Sequence, residues 1–274
     1  AYLRYPLDDL VRLVALEAAR HRAIAIGEDL GTVPAGLRER LGAQGVAGLG
    51  DLLLARDAHG AFRPPSAWDR DAIAMTSTHD LPTVAGWWRG VDLGWRRLAA
   101  EAEAEAAKRR DEAQSRDVAA PAPDDASAHD SDEIVQSMAF GHDTVQRPDS
   151  NRATPPPPPE LLAAHAERAT ERAALWHALQ HADCAPAGAA VPPADMPPVN
   201  AILAYVASSP SPLALLPLED LLALDAQPNL PGPPCGHPNW RQRLPRPIDT
   251  LFDADVRTRI AAVVQARRAR RHGP

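Results

Sequence analysis

The chain has 274 residues, enough for one large domain or two small ones, and its net charge of −7 excludes the basic footprint of a general nucleic-acid binder. Hydrophobic residues make up 45% of it, but 29 prolines and only 4% aromatics point to a core confined to part of the chain. Only two cysteines, Cys184 and Cys235, are present and they lie far apart, so no disulfide framework or paired-cysteine metal site is implied; no apolar run approaches the roughly 18 residues of a membrane span, so no metal and no membrane contact are expected and the cytoplasm is the default location.

In chain order, Leu7 to His21 places Leu10, Val11, Val14, Leu16 and Ala18 at helical spacing, with Asp8 and Asp9 suited to the helix N-terminus. Ala23-Ile24-Ala25-Ile26-Gly27 follows as a buried strand that ends in Glu28-Asp29. Thr32 is the expected N-cap of a helix with Pro34 in its first turn, running to Leu41. Val46 to Leu54 is expected as a strand. A proline- and glycine-containing loop then leads to a strand over 72–76 that runs into Thr78-His79-Asp80. After Asp80 comes a helix bearing Trp87 and Trp88. Residues 7–90 thus alternate helices with strands too far apart for hairpins, the βα pattern of a parallel sheet.

Glu101 to Arg110 is a strong helix former with little apolar face. Residues 111–159, rich in Asp, Ser, Ala and Pro and ending in five consecutive prolines, are expected to be disordered because they bury too little to offset the entropy of ordering. Beyond them come a helix over 160–180, a last strand within 213–218, a short helix over 218–224 and a closing helix over 253–268. The basic run Arg267 to His272 is expected to be a solvated, fraying helix end. Three units result: 1–98, a low-complexity insertion over 99–160, and 161–274.

Two apolar strands that each end in acids carry the chemistry. Taken singly, Glu28 can be a solvated loop residue, Asp29 a turn former, and Asp80 the cap of the next helix. Together, at the carboxyl ends of two parallel strands of an α/β barrel, Glu28 and Asp80 would face one pocket, where paired carboxylates perform glycosidic-bond chemistry. His79, Asn229 and Asn239 can hydrogen-bond hydroxyls, and Trp240 can stack on a sugar ring. Trp87 and Trp88 are candidates for the same role, although at least one is expected in the core.

Ile26-Gly27-Glu28-Asp29-Leu30-Gly31-Thr32-Val33-Pro34 and Thr78-His79-Asp80-Leu81-Pro82-Thr83 resemble the 4-α-glucanotransferase (amylomaltase) family. So do Tyr5 to Leu10, Gly86-Trp87-Trp88, Leu218-Glu219-Asp220-Leu221, and Asn229-Leu230-Pro231-Gly232 leading to Asn239-Trp240-Arg241, all in family order. The resemblance implies the C-terminal half of a (β/α)8 barrel, with residues 1–98 carrying strands five to seven. It implies transfer of α-1,4-glucan segments among maltodextrins by retaining double displacement, with no cofactor. Glu28 then corresponds to the general acid/base and Asp80 to the transition-state-stabilising acid. Asp29, His79, Asn229, Asn239 and Trp240 correspond to glucan-binding positions.

One part of the family pattern is missing. Its nucleophilic aspartate belongs to an Arg-x-Asp-His motif, and no such motif occurs in this chain. The expectation is a fragment, inactive alone, that partners the missing N-terminal half of the barrel. The alternative is a catalytically inactive remnant.

Overall fold

The computed structural model describes residues 5–28, 33–119, 158–232 and 235–271. Three short parallel strands form its sheet: β1 (Gly48–Asp51), β2 (Ala72–Met75) and β3 (Ala214–Leu215), ordered β1-β2-β3. Gly48 pairs with Ala72 and Asp51 with Met75, while Ala74 pairs with Ala214. Helices surround the sheet: α1 (Leu7–Arg20), α2 (Leu37–Ala43), α3 (Val84–Arg89), α4 (Val91–Ala119), α5 (Pro159–His181), α6 (Val199–Ala207), α7 (Leu218–Leu221), α8 (Ile248–Leu251) and α9 (Ala254–Arg271). None of the helices searched is long and apolar enough to cross a membrane. The parallel α/β arrangement matches the sequence pattern.

Several expectations are corrected. The 23–27 segment is not a buried strand. It makes a single parallel bridge, Ile26 to Ala47, with Gly27 N donating to Ala47 O at 2.8 Å and Ala47 N to Ala25 O at 2.9 Å. Among the described residues its outer side has no neighbouring strand, so Ile24 and Ile26 remain 61% and 40% exposed. The strand expected over 46–54 shrinks to β1, because the chain turns where Leu53 N donates to the Asp51 carboxylate. α2 starts at Leu37 rather than near Pro34, behind Gly36, whose φ of 77° lies in the left-handed region that glycine tolerates.

Asp80 is not a helix cap, and Pro82 lies outside the helix. Thr83 is the N-cap of α3: its Oγ1 accepts from Gly86 N at 3.0 Å and donates to Leu224 O at 2.6 Å. Gly86 is obligatory there, since a Cβ would sit 2.1 Å from the Asp225 carbonyl oxygen. Helical backbone continues through Ala119, into the stretch expected to lack structure, while 120–157 lie outside the described residues. Arg267 is no fraying end: its guanidinium donates to the carbonyls of Ala207, Ser209, Ser211 and Pro212, tying α9 to the segment before β3.

The core joins the sheet to α3, α5 and α6. Ala74 of β2 packs with Val84, Trp87 and Trp88 of α3, Leu175 and Leu179 of α5, and Ile202, Leu203 and Val206 of α6. Both tryptophans of the pair are therefore core residues, not sugar platforms. Trp88 directs its indole N–H to the Pro193 carbonyl at 3.0 Å, so burying it strands no donor. Arg168 of α5, also buried, donates to both oxygens of Asp92 at 2.7 and 2.8 Å, to Glu171 at 3.0 Å and to the Trp87 carbonyl. This paired burial fixes α5 against the α3–α4 junction without an uncompensated charge.

Candidate functional site

The site is built on the loop that leaves the carboxyl end of β2. Thr76 and Ser77 follow the strand directly, and their hydroxyls donate to one oxygen of Asp220, at 2.5 and 2.9 Å. The other Asp220 oxygen accepts from Val84 N at 2.8 Å. One fully buried carboxylate thereby closes both ends of the 76–84 loop from the short helix α7 that follows β3. Burial pushes the Asp220 carboxyl above its usual range, opposed by these three hydrogen bonds. Sequence reasoning noted Asp220 only as part of a motif and gave it no role.

The loop presents His79 and Asp80. Asp80 Oδ1 accepts from Asn229 Nδ2 at 2.6 Å and lies 3.4 Å from His79 Nε2. Asn229 N donates to His79 O at 3.1 Å, so the 227–242 segment is zipped to the 76–83 loop through both backbone and side chain. Trp240 lies with its ring centroid 5.2 Å from that of His79, and 66% of the residue is exposed. Its φ of 59° is unusual for a bulky residue, and Trp240 N is held by the Pro228 carbonyl at 3.0 Å. Asn239 spends its amide inside this segment, accepting from Leu230 N at 2.9 Å and donating to Leu230 O at 3.0 Å. It braces the turn that carries Trp240.

His79, Asp80, Asn229, Asn239 and Trp240 thus come together, although 149 residues separate Asp80 from Asn229. Glu28 is exposed, two residues past the Ile26 bridge at the edge of the sheet, and no hydrogen bond engages its side chain among the described residues. Because Ile26, β1 and β2 run parallel, Glu28 and Asp80 both lie toward the carboxyl ends of their segments. Asp29 lies outside the described residues.

Asp51 was missed, although an acid closing an apolar run was the same signal that marked Glu28. Only 3% exposed, it accepts from Leu53 N at 2.8 Å with one oxygen, while the other is buried without a hydrogen-bond partner among the described residues. Burial pushes its carboxyl up to about 7, aided by nearby Asp220 and opposed by the backbone N–H groups of Leu53 and Leu54.

What this arrangement can do is bind a hydroxyl-rich ligand. It offers an exposed indole face, an imidazole, and a carboxylate fixed by an amide at the carboxyl end of a parallel sheet.

The family model for 4-alpha-glucanotransferase matches residues 1–249. A 4-alpha-glucanotransferase of Haemophilus influenzae is 25% identical over 93% of this chain, and one of Mycobacterium tuberculosis is 27% identical over all of it. The chain spans 29% and 31% of those proteins, about a third of their length. The crystal structure of amylomaltase from Corynebacterium glutamicum superposes with a TM-score of 0.66 at 21% identity, over 97% of this chain and 32% of that one. With the match extending over most of its length, the chain belongs to the 4-alpha-glucanotransferase family.

Proposed function

We propose that this chain carries the acid/base side of a retaining 4-α-glucanotransferase that moves α-1,4-glucan segments among maltodextrins in the cytoplasm. Residues 1–98 and 161–274 would supply strands five to eight of a (β/α)8 barrel and their helices, with 99–160 as an insertion. Glu28 protonates the leaving glycosidic oxygen and then, as base, activates the 4-hydroxyl of the acceptor. Asp80 stabilises the positive charge that develops at the anomeric carbon. His79 and Trp240 hold the sugar ring, and Asn229 fixes the carboxylate of Asp80. Asp29 and Asn239 belong to the same glucan-binding surface, Asn239 through the turn it braces. The observation that carries this is the Asn229–Asp80–His79–Trp240 cluster at the carboxyl end of the sheet.

The covalent step needs a nucleophile, and the Arg-x-Asp-His motif that carries it in the family does not occur in this chain's sequence. We propose that it comes from a further barrel segment docked on the exposed apolar surface of Leu10, Leu13, Val14, Ile24 and Ile26. That segment would pair with the open side of the 23–27 backbone and cover α1. The absence of the motif equally supports a second proposal, an inactive remnant.

Incubation with maltotriose separates the two. The chain alone is expected to form no glucose or longer maltodextrins, since loss of a nucleophile removes many powers of ten in rate. Adding the preceding barrel segment of the Mycobacterium tuberculosis relative should restore transfer, and Glu28→Gln should abolish it again. Restored transfer that Glu28→Gln leaves intact would overturn the acid/base assignment, and no transfer in any mixture would favour the remnant.

A further inference from the structure

We infer that Glu219 is a specificity residue for the glucan, accepting hydrogen bonds from secondary hydroxyls of a glucose unit that stacks on Trp240. The inference rests on the glucan-transfer proposal and names a contact that proposal does not contain.

A cavity of about 320 Å³ opens between the loops that follow β2 and β3, and His79, Trp240, Thr78, Gln242 and Glu219 are among the residues lining it. Most of its polar groups are already spent on the fold. Ser77 donates to Asp220, Thr83 joins Gly86 to Leu224, and Gln242 Nε2 donates to the Gln227 carbonyl at 2.7 Å. Glu219 is the carboxylate among the lining residues. It is half-buried, and among the described residues no hydrogen bond or ion pair engages its carboxylate.

Its backbone is also held. The adjacent Asp220 is locked by Thr76, Ser77 and Val84, and the Glu219 carbonyl accepts from Leu224 N at 2.9 Å. A carboxylate with free acceptor sites on a fixed backbone, lining the same cavity as an exposed indole, is suited to a pyranose. The C–H face of the sugar covers the aromatic ring, while neighbouring hydroxyls on its rim donate to the two oxygens. A glucose unit is the right scale for a space of this size, and its hydroxyls supply donors to the Glu219 oxygens.

Calorimetric titration of the chain with maltotriose tests this, alongside methyl α-maltoside and analogues lacking one secondary hydroxyl. Glu219→Ala is expected to weaken maltotriose binding by about 10- to 100-fold, the loss of charge-assisted hydrogen bonds. Glu219→Gln, which keeps one acceptor, should recover part of it. One deoxy analogue should bind more weakly than its parent to the unaltered chain but equally well to Glu219→Ala, a loss of discrimination that a purely structural role would not produce. Unchanged affinity and discrimination in Glu219→Ala, with the unaltered chain binding normally, would overturn the inference and leave the glucan proposal standing. Absence of any maltotriose binding by the unaltered chain would overturn both.

Discussion

Asp220→Ala is expected to destabilise the fold by about 3–5 kcal/mol, because it strands one buried backbone N–H and two buried hydroxyls and leaves a void. Those three donors belong to Val84, Thr76 and Ser77, which bracket the loop carrying His79 and Asp80. The loss therefore reaches the site as well as the core. Asp220→Asn behaves differently. It keeps an acceptor for Val84 N, the two hydroxyls can rotate to accept from its amide, and it removes a carboxyl that burial disfavours in its charged form. Its cost should stay near 1 kcal/mol or below. Urea unfolding of the three proteins checks the order. An alanine variant as stable as the asparagine variant would show that the carboxylate is not the clamp.

Asp51→Asn is expected to stabilise the protein above neutral pH and to have little effect near pH 4. The direction follows from linkage. Burial raises the folded-state value from 3.8 to about 7, so between those limits the folded state holds more protons than the unfolded one. Stability from this group is full below about 4, falls as pH rises, and reaches its minimum above about 7. Three pH units at 1.36 kcal/mol each put the penalty on the order of 4 kcal/mol. Asparagine keeps the acceptor for Leu53 N and removes the charge from the partnerless oxygen. Unfolding curves at pH 4 and pH 8 should converge at the lower value and separate at the higher. Parallel pH dependence in the two proteins would exclude Asp51 as the titrating group.

Much of the architecture was legible in local pattern. Apolar residues at helical spacing marked α1, helices were expected where α5 and α9 lie, and the β2 strand was visible as Ala72-Ile73-Ala74-Met75 between turn residues. The strand-end acids and the tryptophan and asparagine turns directed attention to the residues that now cluster around Asp80. Such signals depend on a few neighbouring residues, so a single chain displays them.

Other features required the assembled molecule. Asp80 looked like a cap because it precedes a helix, yet Thr83 takes that role by accepting from Gly86 N, while its hydroxyl also donates to Leu224 O, 141 residues away. The 23–27 run has the composition of a buried strand, but burial needs neighbours on both sides, and the described residues supply one. Asp51 and Asp220 are ordinary acids in the sequence. Their character comes from exclusion of water and from which donors reach them, and the donors to Asp220 lie 136 to 144 residues away.

Local residue patterns were enough to point to the family and to the parallel α/β arrangement, and to single out candidate acids. Tertiary structure decided which acids are exposed, which are clamped and which are left half-satisfied. Sequence records chemical groups, whereas pKa, rigidity and accessibility are properties of the space the fold encloses.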